Sequence, residues 1–134
     1  MIHAIACIAL LVRDYDEAIA WYRDALGFAL LQDDDLGGDK RWVRMAPPGN
    51  AAFSVLLARA ATPRQHDAVG NQHGGRVGFF LHTDDFARDL ARLEAAGATF
   101  EEAPRHEPYG TVVVFRDLYG NRWDLIEPRA DSGA

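Results

Sequence analysis

The second half of this chain repeats the first at an offset of about 70 residues, and no other feature constrains the fold as strongly. Asp14-Tyr15-Asp16-Glu17 opens an amphipathic segment that runs to Leu26 and stops at Gly27. Asp84-Asp85-Phe86 opens a second, which runs to Ala96 and stops at Gly97. Two turn signals keep the same spacing. Pro47-Pro48-Gly49-Asn50 and Asp117-Leu118-Tyr119-Gly120-Asn121 each lie between apolar runs. A duplicated chain of 134 residues reads as two half-size modules, with its chemistry expected between the copies.

In the first copy, residues 2–12 have the length and composition of a strand buried on both faces. Asp14 is the expected helix N-cap, and Glu17 three residues later completes a capping box. Tyr15, Ala18, Ile19, Tyr22 and Leu26 form one apolar stripe, ended by Gly27 at the left-handed position after the last turn. Residues 28–32, 40–46 and 51–58 read as strands, with Asp33-Asp34-Asp35 and Gly37-Gly38 as a turn. Residues 59–75 lack an apolar period and form a connector. The second copy has a strand at 76–83 and a helix with Phe86, Leu90 and Leu93 on one face. Strands follow at 98–102, 111–116 and 121–127, with a loop at 104–110. The fold class is α+β, with two tandem βαβββ modules. Module one spans 1–58 and module two 76–128 of a single domain ending at 128, with 129–134 as a frayed tail.

A net charge of −6 argues against non-specific nucleic-acid binding, which needs basic patches that release counterions. Residues 1–12 are too few to span a bilayer and lack a basic start or cleavage site, so the expected location is cytoplasmic with no membrane partner. A single cysteine, Cys7, excludes an internal disulfide. There is no phosphate-binding loop, serine elbow or zinc-finger spacing.

The segments LLVRDYDEAIAWYRDALGF and DLYGNRWDLIEP resemble the opening and closing signatures of vicinal oxygen chelate proteins, the glyoxalase, bleomycin-resistance and extradiol-dioxygenase superfamily. The resemblance covers residues 2–128. It implies a curved mixed-sheet cup and a homodimer. It leaves the reaction open, because this fold hosts isomerases, ring-cleaving oxygenases, thiol transferases and drug-binding proteins. The family's four metal-ligand positions fall on Cys7, Phe53, Gly78 and Asp124. Phe53 and Gly78 have no donor atoms in their side chains, and a catalytic zinc wants three protein ligands. No metal and no other cofactor is therefore expected.

Strand alternation groups the side chains that would face the cup. His3, Ile5, Ala9 and Leu11 go with Cys7; Arg76, Phe80 and His82 with Gly78; Ala51, Val55 and Leu57 with Phe53; and Arg122 and Ile126 with Asp124. The candidate ligand-binding residues are Cys7, Arg76, Arg122 and Asp124, joined at the rim by Arg105, His106 and Tyr109. No residue is assigned a catalytic role. The expected function is binding of a small organic molecule in an apolar cup without a catalytic metal, as in the bleomycin-resistance branch, with the acidic surface favouring a cationic ligand. One alternative is an enzyme (a lyase, isomerase or dioxygenase) using Cys7, or His106 with Glu107. Another is an unorthodox metal site built from Cys7 and Asp124 with His3 or His106.

Overall fold

The computed structural model describes residues 1–49 and 52–130. Contacts divide the chain into two compact units, Met1–Val69 and Gly70–Ala134.

The first unit begins with β1 (Cys7–Val12) and α1 (Tyr15–Leu26). Asp14 caps the helix, its Oδ1 accepting from the Glu17 N–H at 2.8 Å. Gly27 ends it with φ 69°, a conformation that costs glycine little, and donates back to the Arg23 carbonyl. The buried stripe is Tyr15, Ala18, Ile19 and Tyr22 as expected, with Ala25 in the place expected for Leu26. Then come β2 (Ala29–Gly37), β3 (Lys40–Ala46) and β4 (Ser54–Arg59), in a sheet ordered β1-β4-β3-β2. β1 and β4 are parallel and the other pairs antiparallel, so the sheet is mixed. One face packs on α1 through Leu10, Val12, Val43, Met45 and Leu57, all nearly inaccessible. Each of these apolar side chains stabilises the unit by roughly 1.5–3 kcal/mol.

Three expectations change here. β1 starts at Cys7, and Met1, Ile2 and Ile5 before it are exposed. β2 does not stop at residue 32. Asp33, Asp34 and Asp35 pair with Val43, Trp42 and Arg41 of β3, and the reversal falls on Gly38 and Asp39 at φ 60° and 64°. Arg41 makes this acidic strand possible by gripping Asp33 through Nε at 3.0 Å and Nη2 at 2.7 Å. The connector contains a short helix, α2 (Pro63–Ala68). Its signal was Thr62-Pro63 with Gln65: Thr62 accepts from the Gln65 N–H at 3.2 Å, and Gln65 reaches back to the Ala61 N–H at 2.8 Å.

The second unit has β5 (Val77–His82), α3 (Phe86–Ala95), β6 (Thr99–Phe100), β7 (Arg105–Glu107), β8 (Gly110–Arg116) and β9 (Arg122–Pro128). The order is β5-β9-β8-β6, with β5 and β9 parallel. Asp85 caps α3 through the Arg88 N–H at 3.1 Å. α3 packs on β9, and Val113, Phe115, Trp123 and Leu125 are buried. The expected loop at 104–110 is instead β7 and a tight turn, and β7 pairs with the start of β8 as a fifth strand. The tail begins tied down, since Arg129 N–H donates to the Tyr109 carbonyl at 2.9 Å; residues 131–134 lie outside the described residues. Among the described residues no helix is long and apolar enough to cross a membrane.

Candidate functional site

In each unit one face of the sheet carries the helix and the other does not. On β1 and β4 the register pairs Cys7 with Ser54, Ala9 with Leu56 and Leu11 with Ala58. Partners in register share a face, so these six lie opposite α1, while Val55 and Leu57 turn towards it. The expected grouping of Phe53, Val55 and Leu57 with Cys7 is corrected by one residue. β4 starts five residues after Gly49, whereas β9 starts two after Gly120. The first turn is longer by an odd number, which flips every side chain to the other face. Phe53 lies ahead of the strand and is 47% exposed, and Leu56 takes the register position that Asp124 holds in the second copy. Ala51 lies outside the described residues.

A cavity of about 450 Å3 in the first unit is lined from both faces of the sheet, with Leu57, Arg41 and Arg59 on the α1 side and Leu11, Leu56 and Ala58 on the open side. Leu11, Leu56, Ala58 and Trp42 supply its apolar side, with Trp42 37% exposed. Tyr15, Lys40, Arg41, Arg59 and Gln65 supply polar groups, and Asp39 adds a carboxylate. The guanidiniums of Arg41 and Arg59 stand 5.1 and 5.8 Å from the Tyr15 ring centroid. Arg41 is already neutralised by Asp33 and by Asp16 at 2.9 Å. An adjoining hollow shares Tyr15, Arg41 and Arg59 and adds Asp14, Asp16 and Asp35. The rim carries both signs, so it does not by itself favour the cationic ligand that net charge suggests. Leu11 and Leu57 were expected to face the cup, but none of these cavity residues was among the seven candidate ligand-binding residues. The sequence signal for them was the alternation of Trp42 with Val43 on β3, which places the indole opposite the helix.

In the second unit Arg122, Asp124 and Ile126 alternate with the buried Trp123 and Leu125, and so face away from α3 as expected. Phe80, in register with Asp124, is 63% exposed. Asp124 is the least satisfied group on this face. Its Oδ1 is buried and has no hydrogen-bond partner among the described residues. Burial pushes its carboxyl above the usual carboxylate range, opposed by the positive charges of Arg105 and Arg122 and reinforced by Glu102. A raised folded-state pKa means that ionising Asp124 costs stability as pH climbs through that value. Asp124→Asn is therefore expected to melt higher than the parent at neutral pH. The gain should vanish in acid, below the ordinary carboxylate range, where both proteins carry an uncharged group. Melting curves across that range check it, and a variant less stable at neutral pH would show that the carboxylate is compensated.

The structure draws some expected residues together and separates others. Arg105 is clamped by Glu102 at 2.9 Å and Glu107 at 2.7 Å. Glu107 is thus engaged by Arg105, whereas His106, alternating with it along β7, contacts Thr111 through Nδ1 at 3.3 Å. The two neighbours in sequence do not form an acid–base pair. Tyr109 is an exposed turn residue, and Cys7 is a half-buried free thiol in the first unit. His3 and His82 are exposed. The family's usual metal does not fit these residues. Among the described residues no three His, Cys, Asp or Glu lie close enough to hold an ion. At Gly78 a Cβ would lie 2.3 Å from Nδ1 of His73, whose ring already fills that space and meets Phe79 edge-on at 4.9 Å.

Comparison with known proteins agrees with this architecture. The family model described as Glyoxalase/Bleomycin resistance protein/Dioxygenase superfamily matches residues 4–125. An uncharacterized protein of Shewanella frigidimarina (strain NCIMB 400) is 53% identical over 128 residues, 95% of either chain. Among solved structures, UcmS2 superposes with a TM-score of 0.81 at 27% identity, covering 95% of this chain and 99% of that one. TnmS3, an antibiotic binding protein from Streptomyces sp. CB03234, gives a TM-score of 0.77 at 30% identity, covering 96% and 98%.

Proposed function

The chain belongs to the glyoxalase/bleomycin resistance protein/dioxygenase superfamily, and from that premise we propose that it binds a small organic molecule without a catalytic metal. The observation that carries this reading is the cavity of about 450 Å3 in the first unit. Its volume lies in the range of small-molecule sites, roughly 300–1,000 Å3, and apolar walls with a few convergent polar groups are their usual lining. Trp42 offers a flat apolar surface, while Tyr15, Gln65, Lys40 and Arg59 offer hydrogen bonds around it. The ligand class this supports is a planar, largely apolar compound with polar groups at its edge. The antibiotic-binding description of TnmS3 supports small-molecule binding. A cytoplasmic location and a homodimer belong to the reading as well; the homodimer rests on the family resemblance and the location on the apolar but short, uncharged start of the chain.

A thermal-shift screen of planar aromatic compounds tests the reading. A ligand at ~100 times its Kd should stabilise the fold by about 2.7 kcal/mol. Trp42→Ala should weaken any such ligand at least tenfold, about 1.4 kcal/mol, with little change in the melting of the free protein. Ligand recovered unchanged supports binding, and turnover would move the protein to the enzymes of its superfamily. If no planar compound shifts the melt, or if Trp42→Ala binds as well as the parent, the cavity is not the site.

A further inference from the structure

A second, smaller cleft shares no residue with that cavity. It lies where the chain enters β5 and β9 and has a volume of about 80 Å3. Arg76, Arg116, Arg122 and His73 line it, together with Asn71 and Asn121, and none of its lining residues is acidic. In a chain whose net charge is −6, three guanidiniums around one cleft run against composition.

The local charges can be followed group by group. Glu101 is the carboxylate shared by two of the arginines. Arg122 grips it through Nε at 2.7 Å and Nη2 at 3.0 Å, and Arg116 Nε lies 3.1 Å away. The Arg122 guanidinium holds the Glu101 carboxyl below its usual range, so it stays ionised. Arg122 also donates through Nη1 to the Gly75 carbonyl at 2.9 Å, and Arg116 through Nη1 to the Gly120 carbonyl at 3.4 Å. Both guanidiniums are thereby fixed before any ligand arrives. Arg76 is exposed; its backbone N–H donates to the His73 carbonyl at 3.3 Å, and its guanidinium makes no hydrogen bond or ion pair with a described residue. Three guanidiniums and their shared Glu101 leave an excess of positive charge at the cleft wall, which suits a dianion; the carboxylates of Asp124 and Glu102, which also act on Arg122, line none of it.

Size narrows the ligand further. A water claims about 30 Å3 of liquid, so the cleft holds about two to three waters or a single oxyanion, and no organic body. Guanidinium forks match the oxygen spacing of phosphate and can bind it bidentately. We infer that this cleft binds a small tetrahedral dianion of phosphate type, free or as the terminal group of a phosphomonoester.

Phosphorus NMR titration of the full chain with inorganic phosphate and with phenyl phosphate, at constant ionic strength set by chloride, tests the inference. Saturable binding of either compound supports the site, and the ratio of their affinities tells whether the free ion or the ester is preferred. Arg76→Gln should weaken binding at least tenfold and Arg76→Glu should abolish it, while both melt like the parent because the Arg76 guanidinium has no hydrogen bond or ion pair with a described residue and the backbone bond to His73 is kept. Arg116→Gln gives an independent second variant and should weaken binding in the same direction. Sulfate should compete, and acetate at equal ionic strength should not. Absence of saturation, unchanged affinity in Arg76→Gln, or displacement by acetate as easily as by sulfate would overturn the inference. None of these results bears on ligands of the first-unit cavity, so the two readings stand or fall separately.

Discussion

Replacing Asp117 with alanine is expected to lower the unfolding free energy by about 3–5 kcal/mol. Asp117 is buried at the end of β8 and organises the turn into β9. Its Oδ1 accepts from the N–H groups of Tyr119, Gly120 and Asn121, each at 3.0 Å. Its Oδ2 accepts from Asn121 Nδ2 and Trp123 Nε1, each at 2.9 Å. Gly120 N–H keeps a second acceptor in the Asp117 carbonyl, but the Asn121 amide and the indole N–H are buried and lose theirs. Each unsatisfied buried donor costs about 1–3 kcal/mol, which is where the sum comes from. The melting temperature should fall by roughly 10–20 °C in a chain of this size. Asp117→Asn should recover only part of this. Its oxygen can still serve the backbone, but its amide nitrogen would face two donors. A loss under about 1 kcal/mol for the alanine variant would mean that water satisfies the turn unaided.

Gly70→Ala should be comparably damaging, through shape instead of hydrogen bonding. Gly70 has φ +78°, and a Cβ there would lie 1.9 Å from the Tyr119 carbonyl oxygen. The obstacle is backbone, so no rotamer change relieves it. Left-handed backbone costs an L-residue roughly 1–2 kcal/mol, and displacing the carbonyl adds to that, so a loss above about 3 kcal/mol is expected. Gly97→Ala separates the two contributions, because Gly97 has φ +76° with nothing within 4 Å of its Cβ position. Chemical denaturation of both variants gives the comparison. Equal losses would show that the Tyr119 carbonyl moves aside freely. Gly70 and Asp117 act on the same turn, so the double variant should lose less than the sum of the singles.

That turn was legible in the sequence as Asp117-Leu118-Tyr119-Gly120-Asn121, and so were the helix caps Asp14 and Asp85, because each signal acts within a few residues. The short helix after Thr62 was equally local, and its cap was present to be read. β2 was harder. Three consecutive aspartates look like a turn until Arg41, eight residues beyond Asp33, is seen to grip Asp33 across the β2–β3 pair. The candidate site was the least legible part. His106 and Glu107 are adjacent in sequence, yet Arg105 takes the carboxylate and the two side chains alternate along a strand. The free Oδ1 of Asp124 and the two arginines sharing Glu101 depend on which groups meet, and spacing along the chain does not encode that.

The sequence by itself determined the duplicated α+β architecture, the two capped helices and the face of β9, since helical periodicity, caps and strand alternation are short-range properties. Tertiary structure decided which face of β4 meets α1 and where the first unit opens a cavity beside Trp42. It also decided which arginines gather around the small cleft of the second unit. The physical reason is register. A strand's faces are assigned by hydrogen bonds to partners far away in the chain, and a turn longer by an odd number of residues exchanges inside for outside.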